Sequence, residues 1–119
     1  MAANQLADWV VAHTPAQIPA RIPAAIPQAR AWLTALRASA LSHRSLTWTE
    51  PTSDTGWHGE VEFAWSSTAR DLSVFFTGSA VYYVRCWGPS THPTLVDGRC
   101  DSPERALALF RWFATGVDP

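Results

Sequence analysis

Cys86, His92 and Cys100 form the one grouping in this chain whose residue types could hold a metal ion. Their gaps are irregular, and no C-x-x-C or H-x-x-x-H pair accompanies them, so the spacing of a zinc site is missing and no metal is expected. His13, His43, His58 and His92 are scattered without a shared helical or loop spacing. Glu60 and Glu62 lie two apart and so share one face of a strand. Two carboxylates held that way push their pKa values apart, the requirement for acid–base work. The same spacing is ordinary on a solvated strand face, and that is how we read it. No G-x-S-x-G elbow and no phosphate-cradling glycine loop occurs. The chain therefore offers no catalytic set and no cofactor motif, and we read it as non-enzymatic.

The residues that ask for another explanation lie between Trp57 and Trp87. Val61, Phe63 and Trp65 alternate with Glu60, Glu62 and Ala64; Leu72, Val74 and Phe76 alternate with Ser73 and Phe75; Tyr82, Val84 and Cys86 alternate with Tyr83 and Arg85. A period of two places successive side chains on opposite faces of a strand. If the first set in each run faces the core, the outer face carries Glu60, Glu62, Phe75, Tyr83, Arg85 and Trp87. Aromatic side chains with arginine, and charges at the margin, are the composition of interface hot spots. These six residues are the predicted partner-binding surface, for another protein or for a second copy in a symmetric dimer.

Positioning that surface requires a sheet and something to cover its other side. The strands are expected at Ser45–Glu50, 58–66, 71–77 and 80–87, with Thr94–Cys100 as a candidate fifth. Pro51–Gly56 reads as a polar turn and Thr77-Gly78-Ser79 as a tight hairpin. Gln28–Leu41 has an amphipathic stripe of Ala29, Trp32, Leu33, Leu36, Ala40 and Leu41. Asp101-Ser102-Pro103-Glu104 starts a second helix, whose stripe is Ala106, Leu109, Phe110 and Phe113 and whose stop is Gly116. The predicted fold is α+β, an antiparallel meander of four or five strands with an N-terminal and a C-terminal helix packed on one face. Ahead of it, residues 1–27 form an arm: a short helix over Ala2–Ala12, then Pro15, Pro19, Pro23 and Pro27 at every fourth position. A four-residue spacing suits a docked connector better than a polyproline ligand, which repeats every three.

Composition narrows the classes further. The 119 residues fit one domain, 28–119 carrying the fold, and 47% hydrophobic content is enough for an independent core. A net charge of −1 argues against tracking a nucleic-acid backbone. No run approaches a membrane span, and no basic, apolar leader opens the chain. Two cysteines without a pairing pattern fit a reducing compartment, so a cytoplasmic location is expected. The seven Trp are unusual, and some must lie near the surface.

Glu50-Pro51-Thr52, Gly59-Glu60-Val61-Glu62-Phe63-Ala64-Trp65 and Leu107-Ala108-Leu109-Phe110-Arg111-Trp112-Phe113 together give Pro27–Val117 a recognisable pattern. It resembles a group of small bacterial proteins of uncharacterised function, built from a Pro-containing lead-in, one helix, a strand meander and a C-terminal "LLRWL"-like helix. The resemblance implies the same α+β fold and an accessory or regulatory role in a mobile-element or defence context. The expected function is a protein-interaction module. An inhibitor or antitoxin-like protein that blocks one enzyme, and a small ligand-binding protein with a Trp-lined pocket, are the alternatives.

Overall fold

The computed structural model describes residues 24–56 and 59–119. The expected helix over Ala2–Ala12, the proline run through Pro23, and Trp57 and His58 lie outside the described residues. The described elements run α1 (Ala25–Leu41), β1 (Thr52–Thr55), β2 (Val61–Ser66), β3 (Arg70–Phe76), β4 (Val81–Trp87), β5 (Thr94–Arg99) and α2 (Pro103–Thr115). The five strands form one antiparallel sheet in the order β1-β2-β3-β4-β5. The α+β meander expected from the sequence is the observed fold, with the fifth strand present.

Both helices pack on the same sheet face and touch each other, α1 across β2 and β3, α2 over β3. Helix α1 begins at Ala25, so Pro27 lies in its first turn, where a missing N–H costs no intrahelical bond. Its contact stripe is small: Ala25, Ala29, Leu36 and Ala40 are buried, with Trp32 and Leu33 partly so. The alanines let the helix approach closely, and Trp32 fills the remaining space against Phe76 (ring centroids 5.2 Å) and Phe63 (6.5 Å). Helix α2 is capped as its sequence requires. The Ser102 hydroxyl accepts the Arg105 N–H, Pro103 opens the helix, and Gly116 closes it at φ 82°. Leu109 and Phe110 are fully buried, and burial of a side chain of this size stabilises by about 1.5–3 kcal/mol.

Two expectations about the strands need correction. Ser45–Glu50 is not a strand, although Leu46 and Trp48 do pack on the core. Trp48 lies 5.0 Å from Phe110, and Trp65 holds the segment by donating its indole N–H to the Thr49 carbonyl at 2.9 Å. The first strand is instead Thr52–Thr55, within the stretch expected to be a turn, and all four of its residues are exposed. Polar, short and solvated is how an edge strand is made safe from further pairing.

The second correction concerns β4. Phe76 pairs with Val81, Val74 with Tyr83, Leu72 with Arg85 and Arg70 with Trp87. Residues paired across an antiparallel ladder share a face, so Val81, Tyr83, Arg85 and Trp87 lie on the helix side. Tyr82, Val84 and Cys86 lie outside, which is the reverse of the expectation. The cause is the turn. Only Gly78 and Ser79 separate the flanking pair, whose Thr77 N–H donates to the Ala80 carbonyl at 3.1 Å, and Gly78 takes φ 90°. The expected three-residue turn differs by one, and a shift of one residue turns every side chain over.

Candidate functional site

The six residues expected on one surface are divided by this register. Glu62 and Phe75 are directly paired on the outer face. Glu60 precedes β2 and is buried, its carbonyl accepting the Gly56 N–H at 2.8 Å. Tyr83, Arg85 and Trp87 lie on the inner face beside α2. Phe75 is on the expected side but is 1% exposed, packed with Val84 and Tyr82, so its ring is not offered to solvent.

What the outer face does present is acidic and hydroxylated. Asp54 pairs across the ladder with Glu62, and Asp71 belongs to the same face with Ser73 between Ala64 and Val84. These side chains, with Thr52, Ser66 and Cys86, line a shallow groove over β1 to β4. Burial raises the pKa of Glu62, the Ser73 hydroxyl draws it back by hydrogen bonding, and the charges of Asp54 and Glu60 raise it again. The Ser66 hydroxyl donates to the Asp71 carboxylate. At the far edge Leu95, on β5, is 51% exposed. Asp54 falls in the stretch that reads as a turn, Leu95 depends on the side that β4 presents, and Asp71 follows from the alternation of β3 but carries no signal of its own.

The inner face holds a second grouping. The Tyr83 hydroxyl accepts from Arg105 Nη2 at 2.6 Å, with the guanidinium 5.2 Å from the ring. The Arg70 Nε–H donates to the Phe113 carbonyl at 2.9 Å near the end of α2. Between them Arg85 lies 5.0 Å from the ring centroids of both Trp87 and Trp112, which themselves meet edge to face at 5.5 Å. Trp112 is the member that periodicity in the strands could not supply, since α2 brings it.

Cys86 and Cys100 are free thiols on opposite sides of the sheet. Cys86 faces outward beside Leu95, whereas Cys100 belongs to the core beneath α1, where burial raises its pKa. Among the described residues no group of three or more His, Cys, Asp or Glu is arranged to hold a metal. An apolar groove lined by Trp32, Leu36, Val81, Cys100 and Ala106 runs between α1 and the start of α2. No described helix is long and apolar enough to cross a membrane. No protein family matches the chain, and no curated protein or solved structure is detectably similar to it.

Proposed function

We propose that this chain is a small non-enzymatic protein-interaction module, an accessory or regulatory partner acting in the cytoplasm through the outer face of its sheet. The observation that carries the reading is the row of carboxylates on the sheet face opposite the two described helices. Both described helices pack on one face, while the other carries Asp54, Glu62 and Asp71 over β1 to β3, with Leu95 exposed at the far edge on β5. A half-buried carboxylate with a raised pKa is already partly desolvated, so covering it further removes less hydration than covering a fully solvated acid. The free thiols suit a reducing compartment. The bacterial resemblance adds a mobile-element or defence setting, in which inhibition of one enzyme is one form such a partnership takes.

The test is affinity capture from the native host with the wild-type chain and with Asp54→Arg plus Leu95→Asp, both substitutions being at exposed positions. A stoichiometric partner that the wild type retains and the double variant loses supports the reading. A partner retained equally by both chains, or none with wild type, overturns it. Light scattering of the two purified chains reports the self-associating version, which requires a wild-type dimer that the variant dissociates.

A further inference from the structure

Arg85 is the one basic residue among those described that is buried, at 9% exposure. Its row on the inner face is apolar: Leu72 is its partner on β3 and Val96 its partner on β5. Two indoles flank its guanidinium at 5.0 Å each. Cation–π attraction of this kind compensates the charge in part. It does nothing for the N–H groups that lie in the guanidinium plane. Nε and Nη1 are sealed from solvent and meet no acceptor.

Other arginines find acceptors. Arg70 reaches a helix carbonyl, Arg105 a tyrosine hydroxyl, and Arg37, although its Nε is also sealed without a partner, the carboxylate of Glu50 at 2.8 Å. A position that needed only filling would be served better by Met or Leu, because replacing a buried charge by an apolar side chain of similar volume is neutral or stabilising. A local rule broken without compensation marks a functional position more often than a packing one.

We propose that Arg85 is the receptor for an oxyanion group, a carboxylate or a phosphate, at the corner where β4 meets the C-terminal half of α2. Nη2, unlike Nε and Nη1, is not among the sealed atoms and is where the fork reaches the surface. An oxyanion that meets Nη2 there pairs, through a charge-assisted hydrogen bond, with a guanidinium whose charge is delocalised over all three nitrogens. The indoles of Trp87 and Trp112 hold the guanidinium plane fixed and exclude water, which strengthens the pair. This site is on the opposite face from the proposed docking surface and stands independently of it.

The experiment is a titration of the full chain with sodium acetate and, separately, inorganic phosphate at constant ionic strength, read by Trp emission and melting temperature. Wild type should show a saturable change in both readouts, and the anion that saturates at the lower concentration names the source. Arg85→Met should fold and show neither change. Arg85→Lys keeps the charge but loses the planar group held between the two indoles, and should weaken the response on the order of tenfold. No saturable response in wild type to either anion, or an undiminished response in Arg85→Met, overturns the proposal. Should Arg85→Met fail to fold, the ¹⁵N signal of the wild-type Arg85 Nε–H decides. It shifts saturably with one of the anions if the site is real and stays fixed with both if it is not.

Discussion

At Gly98 the absence of a side chain is a packing requirement. Gly98 is the β5 partner of Tyr83, and a Cβ there would lie 2.9 Å from the Tyr83 hydroxyl and ring. That ring cannot swing away without breaking its bond to Arg105. Gly98→Ala should therefore destabilise the fold by about 1–3 kcal/mol, the usual cost of overpacking, measured as a lower urea midpoint with unchanged slope. Glu62 gives a prediction of a different kind. Its folded pKa is raised, chiefly by burial, so the folded state holds its proton more tightly than the unfolded chain does. The stability tied to this proton is present below the unfolded pKa of about 4.3 and is lost as pH rises through the folded value. Glu62→Gln should consequently melt higher than wild type at pH 7. The gap should narrow on acidification and close below about pH 4, which melting curves across that range would check.

The elements differ in how openly the sequence declares them. Helix α2 is legible throughout, because Ser102, Pro103 and Gly116 mark its ends and Ala106, Leu109, Phe110 and Phe113 its inner stripe. Its cap is a local device, so Ser102→Ala should cost about 1 kcal/mol by denaturant titration without altering the sheet. Strands β2 and β3 are equally plain, with apolar residues on one face and polar ones mostly on the other. Strand β1 is hidden because Thr-Ser-Asp-Thr has turn composition, and only its pairing with β2 makes it a strand. Strand β4 carries bulky residues on both sides, Val81, Tyr83 and Trp87 against Tyr82 and Val84, so periodicity cannot choose its face. Arg85 gives no warning of the observed side either, since a charged residue is rarely buried unless paired. The candidate site followed that choice. Glu62 and Phe75 stayed on the outer face, whereas Tyr83, Arg85 and Trp87 went to the other, where Trp112 from a remote element completes the stack.

The described residues form two layers, helices on a sheet, and the sheet has two edges. Strand β5 is mostly exposed and keeps Asp97 and Arg99 on its outer side, the charges that discourage a second sheet from adding on. Asp97→Val with Arg99→Val should turn that edge into a template for association, seen as open-ended, concentration-dependent growth in light scattering beyond any size that wild type reaches. The two-residue link at Gly78-Ser79 has a consequence of its own for how this protein can change over generations. Adding or deleting one residue there exchanges the two sides of β4: Arg85 and Trp87 would go to solvent, and Tyr82 and Cys86 beneath the helices. Adding two leaves each side chain where it is. The turn thus behaves like a parity lock, tolerant of even changes in length and closed to odd ones. A library of one- and two-residue insertions sorted for folded protein should separate along that line.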